Sequence, residues 1–231
     1  MGSFDQKYWC PKDATGLTEN EIYFTNQLNP SLYVKFDLSK ETLQLLPDLQ
    51  AIALREGAVR TSIIGWTTMP WALPANRGLG LYPQSDYIAI KAPTIDGTEL
   101  WIVAKEQQSL FERSVGFGDK LSTPLLAMKA ERFHEKYALH PWIDRPSKIF
   151  LDSHVTLEAG TGAVPVTSDY RADKIEPNEK SNQKIIDHLK ADGHLAGQTE
   201  IQQSIPRCKR CRNPVIIRSP GLGTQLGMEA V

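Results

Sequence analysis

The sequence has few cysteines, no long apolar run and no excess of positive charge. Its 231 residues include three cysteines, too few for a secreted disulfide framework, so we expect a reducing, intracellular location. No apolar run approaches the roughly 20 residues that cross a bilayer, and the opening MGSFDQKYWC lacks the pattern of a signal peptide. The formal net charge is −1, so any contact with RNA would have to use local basic patches.

What is present is the composition of an ordinary globular protein, with 41% hydrophobic and 23% charged residues. The length allows one large domain or two small ones with a real core. Several segments of the first two thirds are rich in β-branched and aromatic residues and are separated by Gly, Pro, Asn or Asp. These predicted strands are EIYFTN, SLYVKFDL, RTSIIGWTT, DYIAIKAP and ELWIVAK.

Helix signals are fewer and shorter than the strand signals. SKETLQLLPDLQ opens with Ser39 as a predicted N-cap, and KEQQSLFERSVG ends at Gly116. NEKSNQKIIDHLKADG has the clearest helical periodicity and stops at Gly193. Asp96 and Gly97 predict a hairpin turn between two strands. The polar stretch TSDYRADKIEPNEKSNQ is predicted to be largely loop, and the whole pattern indicates a strand-rich α+β fold.

A metal-like pattern occurs near the end of the chain. RCKRCRNP places Cys208 and Cys211 at the C-x-x-C spacing that lets two thiolates reach one tetrahedral zinc. The segment WCPKDATGL, near the start, offers Cys10 and Asp13 as the other two ligands. Two interpretations stay open: a structural zinc site that ties the chain ends together, or a degenerate knuckle with free thiols.

Four ordered motifs resemble the editing domain, or connective peptide, of isoleucyl-tRNA synthetases in class I. WTTMPWALPANR is similar to the family's W-T-T-T-P-W-T-L-P-A-N-R, and DSHVTLEAGTGAV to D-H-V-T-x-(D/S)-G-T-G-x-V. KYWCPKDATGLTENEIYF resembles the incoming strand with its W-C-P-x-C, and IPRCKRCRNPVIIR the outgoing knuckle. The resemblance implies a β-barrel-like editing domain with peripheral helices.

The resemblance also sets the expected domain limits. It covers residues 7–218 in the family's order, as one editing-like domain. The segments 1–38 and 201–218 are expected to pair as its incoming and outgoing parts and to carry the zinc knuckle. The remaining residues, 219–231, have no periodicity and are expected to form an irregular tail.

The implied reaction is hydrolysis of the ester that joins a wrong amino acid to the 3′ end of tRNA. Isoleucyl-tRNA synthetases are the well-known case of this need, because one missing methylene changes binding by only ~1–3 kcal/mol in an apolar pocket. The implied partners are charged tRNA, of the Val-tRNA(Ile) type, and the remainder of a synthetase. The chain has no H-I-G-H or K-M-S-K-S, so no ATP site is expected in it. We expect a cytoplasmic protein, although organellar synthetases carry the domain too.

The resemblance also implies roles for particular residues. Thr67 and Thr68 correspond to the threonines that position the attacking water, and Asp169 to the ligand of the substrate's α-ammonium group. The remaining members of the implied pocket are expected to bind substrate: Trp66, Asn76, Gly160, Thr161 and Gly162.

The chain departs from the family at several of these positions. Met69 and Ala72 replace two threonines, which predicts a more apolar pocket. Pro165 stands where the family has a histidine, the P-G-H-G turn is missing, and the match of Asp169 requires a five-residue deletion. His154 precedes the G-T-G segment, and we interpret it as a structural histidine.

These departures keep other functions open. The chain could be a catalytically impaired remnant, or a truncated product of an isoleucine–tRNA ligase, that binds tRNA or a partner. A small binding module held together by zinc is a third interpretation, which the length and the strand-rich centre disfavour.

Overall fold

The structure, a computed structural model, describes residues 7–117, 121–167 and 179–218. Strands β1 to β13 are, in chain order, Lys7–Cys10, Thr15–Leu17, Ile22–Asp37, Arg60–Thr67, Asn76–Leu81, Asp86–Thr94, Gly97–Ala104, Leu126–Lys129, Tyr137–Leu139, Pro146–Leu151, Ala163–Thr167, Leu195–Cys208 and Ile216–Arg218. Helices α1 to α4 are Lys40–Gln44, Pro47–Arg55, Gln108–Val115 and Glu179–Ala191. Short 3₁₀-helices cover Glu19–Glu21, Pro70–Ala75, Lys105–Gln107 and Ala130–Phe133.

The strands of the described residues form three sheets. The largest has the order β12-β3-β4-β7-β6-β8, in which only β4 and β7 are parallel neighbours. The second has the order β11-β5-β10-β9, and the third β13-β1-β2. The predicted strand-rich α+β class is confirmed. Across the described ranges the sheets stay open, so the strands do not close into one barrel.

Residues of the two larger sheets share the main core. Successive side chains of β3 point to opposite faces of the sheet, so every second residue lies on the same face. Leu32, Val34 and Phe36 are fully buried in the core shared with the second sheet. Tyr33 lies on the other face, where its ring contacts Phe111 of α3 at 5.4 Å between ring centroids. One strand therefore contributes to both cores and holds α3 against the outside of the large sheet.

The predicted break between EIYFTN and SLYVKFDL is wrong, because β3 runs without interruption through Pro30. A strand tolerates proline where the proline is not required to donate to a neighbouring strand. Pro30 pairs with Glu200 of β12, but β4 pairs with β3 only from Leu32 onward. Along Ile22–Ser31, β3 therefore pairs with β12 but not with β4, and the two strands form a two-stranded ribbon.

The predicted helix signals and hairpin are confirmed. The Ser39 hydroxyl accepts a hydrogen bond from the N–H of Thr42 at 3.1 Å, as an N-cap does. Gly116 ends α3 with φ of 78°, in the left-handed region that glycine adopts most readily. Gly97 begins β7 opposite Thr94 of β6. Most of the polar stretch predicted as loop, and the whole tail after residue 218, lie outside the described residues.

The pairing of β1 with β13 brings the beginning and end of the described chain together. We call the two segments 7–17 and 208–218, which contain β1, β2 and β13, the terminal module. A small core joins these elements and contains two of the three cysteines, Cys10 and Cys208. Among the described residues, no helix has the length and apolar character needed to cross a membrane.

Candidate functional site: a threonine turn and a cysteine cluster

The predicted hydroxyl pair lies where β4 ends and a 3₁₀-helix begins. Thr67 and Thr68 are 8% and 5% exposed. The hydroxyl oxygen of Thr67 accepts a hydrogen bond from the N–H of Met69 at 3.1 Å. Pro70 then occupies the first position of the 3₁₀-helix, where its fixed φ suits a helix start. The segment 67–76, from the hydroxyl pair to the end of this turn, is called the threonine turn below.

The predicted glycine-rich segment packs directly against β4. The hydroxyl of Thr161 donates to the carbonyl oxygen of Ile64 at 2.5 Å. Gly160 has φ of +81°, and a Cβ built there would lie 2.6 Å from the Trp66 indole. Only glycine fits this close approach. The two motifs, about 90 residues apart in the chain, therefore meet at the same end of β4.

Trp66 is held from two sides. Its indole N–H donates to the hydroxyl of Ser31 on β3 at 2.7 Å, and its ring faces Gly160. Gly162, with φ of +76°, lies against Ala104 of β7, and its carbonyl accepts from the hydroxyl of Tyr87 at 2.5 Å. The glycine segment is thus fixed both to the end of β4 and to the neighbouring part of the large sheet.

Asn76 is fully buried, and its amide joins three strands of the second sheet. Its Nδ2 donates to the carbonyls of Gly78 at 2.7 Å and Val166 at 3.1 Å. Its Oδ1 accepts from the hydroxyl of Ser147 at 2.5 Å. The neighbouring Arg77 is exposed. The polar atoms of the Asn76 side chain are therefore engaged in holding the end of the threonine turn.

The sequence did not identify His140 and Arg145, whose side chains donate hydrogen bonds to backbone carbonyls of the threonine turn. Arg145 Nη2 donates to the carbonyl oxygen of Pro74 at 3.0 Å and also to that of Asn76. His140 Nε2 donates to the carbonyl of Leu73 at 2.8 Å. A proline-rich turn leaves carbonyls without ladder partners, and buried carbonyls need donors. That need is visible in the sequence, but the residues that meet it are not.

The protonation state of His140 follows from its surroundings. Its Nδ1 accepts from the backbone N–H groups of Trp142 at 3.3 Å and Ile143 at 3.2 Å, so this nitrogen carries no proton. Burial lowers the pKa of His140 to about 4, with Arg145 contributing in the same direction against the hydrogen bond to Leu73. At neutral pH the imidazole of His140 is therefore uncharged, and it holds the threonine turn through its hydrogen bond to Leu73.

The other half of the predicted site is less complete. Pro165 lies on β11, the edge strand of the second sheet, opposite Leu79. Proline has no N–H and no group that transfers protons, so it cannot act as the family's histidine does. The side chain of His154 is 66% exposed, and its Nδ1 lies 2.9 Å from Asp152. Asp169 lies outside the described residues.

The four predicted metal ligands converge in the terminal module. Their ligand atoms all lie within 4.8 Å of one another. The thiols of Cys10 and Cys211 are 3.4 Å apart, and the Asp13 carboxylate is 3.4 Å from the thiols of both Cys10 and Cys208. Zinc–sulfur bonds of about 2.3 Å in a tetrahedron put neighbouring ligands roughly 3.8 Å apart. The donor set and spacing therefore fit a tetrahedral zinc ion.

The groups of the cluster differ in how readily they lose a proton. Burial, together with the neighbouring Cys211 and Asp13, raises the pKa of Cys10 to about 12. Burial also opposes ionisation of Cys211, but hydrogen bonds from Asn213 and from the other thiols outweigh it and lower the Cys211 pKa. The thiols likewise lower the pKa of Asp13, against the effect of its desolvation. Binding of a metal would therefore displace a proton, most clearly from Cys10.

Comparison with known proteins gives consistent matches to one enzyme group. The isoleucine–tRNA ligase of Geobacter sulfurreducens is 30% identical over 242 residues, and that of Thermotoga maritima 31% over 243 residues. Both matches cover 92% of this chain. The chain is homologous to the editing, or connective-peptide, region of isoleucine–tRNA ligases, which are class I aminoacyl-tRNA synthetases. It spans only about a quarter of these ligases, 25% and 24% of their lengths. No protein-family model matches this chain.

Solved structures that are similar to this chain include two leucyl-tRNA synthetase editing domains. The P. knowlesi cytosolic domain is 12% identical with a TM-score of 0.49, and the match covers 65% of this chain and 62% of that one. The P. falciparum cytosolic domain, in space group P21, is also 12% identical, with a TM-score of 0.47 and coverage of 63% and 64%.

Proposed function

We propose that the chain is an aminoacyl-tRNA deacylase of the editing type, which hydrolyses the ester of wrongly charged tRNA such as Val-tRNA(Ile). The observation that carries the proposal is the meeting of the two motifs at one end of β4. Gly160 lies against the Trp66 indole, and the Thr161 hydroxyl donates to the carbonyl of Ile64, on the strand that ends in the hydroxyl pair. The match to isoleucine–tRNA ligases over 92% of the chain supports the same reaction class.

The roles assigned to the residues follow from what ester hydrolysis requires. A water molecule must be held beside the ester carbonyl, and a hydroxyl can both donate to it and accept from it. We assign this positioning role to Thr67 and Thr68. The ammonium group of an aminoacyl ester needs an anionic acceptor, which Asp169 would supply. The wall formed by Trp66 and Gly160 would limit the size of the bound side chain, because a small pocket excludes larger amino acids.

A second candidate function is a non-catalytic domain that binds the tRNA end or a partner protein. Pro165 favours it, because the edge strand offers no proton-transfer group at the position of the family's histidine. Such a remnant would keep the fold and the threonine turn while lacking hydrolysis.

Release of valine from Val-tRNA(Ile) distinguishes the two functions. For a deacylase we expect release above the buffer rate, with slower release from Ile-tRNA(Ile). Thr68→Ala and Asp169→Ala should each slow release at least about tenfold, since each removes a group that holds water or substrate. His154→Ala, which removes an exposed side chain, serves as the control and should stay close to wild type. A rate equal to buffer, together with retained tRNA binding, would favour the remnant.

We also propose that Cys10, Asp13, Cys208 and Cys211 bind one structural zinc ion. The convergence of their ligand atoms within 4.8 Å supports it. Zinc would supply stabilisation to a module whose own core is small. Elemental analysis should find close to one equivalent in wild type and almost none in Cys208→Ser. Absence of zinc from protein purified without chelator would leave the free-thiol interpretation.

The proposed context is translation. We propose that tRNA is the substrate partner, that the remainder of a class I synthetase is the protein partner, and that the site of action is the cytoplasm. The 231 residues contain neither H-I-G-H nor K-M-S-K-S, so we assign no ATP site to them.

A further inference from the structure

Two adjacent residues of the terminal module, Val215 and Ile216, belong to different cores. Val215 is 5% exposed and packs in the core that contains Cys10 and Cys208. Ile216 is 2% exposed and leaves that core, because consecutive side chains along an extended chain point to opposite faces. It packs with three residues of the threonine turn: Met69, Trp71 and Ala72. The cysteine cluster and the threonine turn are therefore joined through one peptide unit.

This contact changes the interpretation of the two replaced threonines. Met69 and Ala72 were expected to make a substrate pocket more apolar. In the structure they share a cluster with Ile216, so their apolar character serves packing against the terminal module. A hydroxyl at the buried position of Ala72 would bring a polar group into this apolar contact, which is unfavourable without a partner.

The backbone of the terminal module makes this connection stiff. Ile216 pairs with Trp9 on β1, and Cys10 follows Trp9 directly. The N–H of Val215 donates to the carbonyl of Pro206 at 2.9 Å, two residues before Cys208. Packed side chains transmit displacement because protein interiors compress little. A change of order in the cysteine cluster should therefore reach Ile216.

We propose that Ile216 is a positioning residue for the threonine turn, through which metal binding at the cysteine cluster orders the segment that carries Thr67 and Thr68. The inference rests on the proposed function for its meaning, but its test does not use hydrolysis. A non-catalytic remnant could show this coupling as well as an active deacylase could, so the two proposals can fail independently of each other.

Amide hydrogen exchange of the full chain, followed by mass spectrometry of peptides covering 66–76, tests the positioning. Ile216→Ala should speed exchange in this segment by at least about tenfold, because local opening becomes easier when packing is lost. Ile216→Val, which keeps most of the contact, should restore most of the protection. Ile201→Ala is the matched control, since Ile201 is a half-buried isoleucine of β12 outside both clusters. Unchanged exchange at 66–76 in Ile216→Ala would overturn the proposal, whatever the metal content.

The same measurement with zinc and with chelator tests the coupling. In wild type, removal of zinc should speed exchange both around Cys208 and at 66–76. In Ile216→Ala, the protein should still bind zinc, and its removal should affect the segment around Cys208 but no longer the threonine turn. A turn that responds to zinc equally in both proteins, or a wild-type turn that does not respond, would show that Ile216 merely fills space. A protein that binds no zinc would overturn the role of the metal, and Val215→Ala would then test by the same exchange measurement whether the terminal module positions the turn through Ile216.

Discussion

The cysteine cluster and the threonine turn differ in how completely the described residues build them. At the cluster, four donor atoms from two distant segments point at one another within 4.8 Å. At the turn and in the glycine segment beside it, the polar atoms of Asn76 and Thr161 point into the protein and hold backbone groups. The first arrangement has the geometry of a binding site, whereas much of the second is scaffold.

The difference teaches which part of each site a sequence motif specifies. A tetrahedral metal site needs only four ligands at suitable distances, and these are the motif residues themselves. A hydrolytic site needs a positioned water, an anchor for the substrate and rigid support. In the W-T-T-M-P-W stretch, Trp66 and Thr67 make hydrogen bonds that support the turn, and individual substitutions must separate this support from the catalytic role that we propose.

The largest expected effect comes from removing the metal ligands. Zinc at a thousandfold excess over its Kd would stabilise the folded chain by about 4 kcal/mol. Cys208→Ser should abolish this gain, so that its Tm no longer rises when zinc is added. Differential scanning calorimetry with zinc and with chelator measures the effect. Glu19→Gln, which removes an exposed carboxylate outside the cluster, should keep the zinc response of wild type. An equal zinc response in Cys208→Ser would break the contrast between the two regions.

Asn76→Ala should cause the next largest loss of stability. The change leaves the Ser147 hydroxyl, the buried carbonyl of Gly78 and the half-buried carbonyl of Val166 without their partner on Asn76. Buried polar groups left unsatisfied cost about 1–3 kcal/mol each, so we expect the free energy of unfolding to fall by about 3 kcal/mol. Arg77→Ala, at the exposed neighbour, should change it by less than about 0.5 kcal/mol. Urea unfolding measures both. Near-equal small effects would mean that the Asn76 amide does not hold the turn.

His140 should make the region around the threonine turn sensitive to acid. Burial lowers its pKa to about 4 in the folded chain, against an ordinary value of 6.5. Between these values the unfolded chain binds a proton that the folded chain does not, so stability falls as pH drops through that window. From pH 7 to 5, wild type should lose about 2 kcal/mol more than His140→Gln. Unfolding in urea at both pH values measures the difference, and parallel losses in the two proteins would contradict a neutral, buried imidazole.

Sequence reasoning succeeded where the signal was local. The cap at Ser39, the turn at Gly97 and the end of α3 at Gly116 each depend on a few adjacent residues. It failed at Pro30, because the tolerance of proline there depends on where β4 begins to pair. It also could not identify His140, whose role depends on a carbonyl 67 residues earlier in the chain. Long-range pairing decides these features, and no local pattern records it.

The smallest expected effect separates the two hydroxyls themselves. The Thr67 hydroxyl accepts from the Met69 N–H, so Thr67→Ala leaves that donor without its partner. Loss of one such bond in a half-buried turn should lower the free energy of unfolding by about 1 kcal/mol, and Thr67→Ser should restore it. If Thr67 acts mainly as support, stability and valine release should fall together in Thr67→Ala and recover together in Thr67→Ser. For Thr68→Ala we expect the opposite balance, with a loss of release larger than the loss of stability accounts for. A similar ratio of lost valine release to lost stability in Thr67→Ala and Thr68→Ala would show that the two threonines do not differ in role.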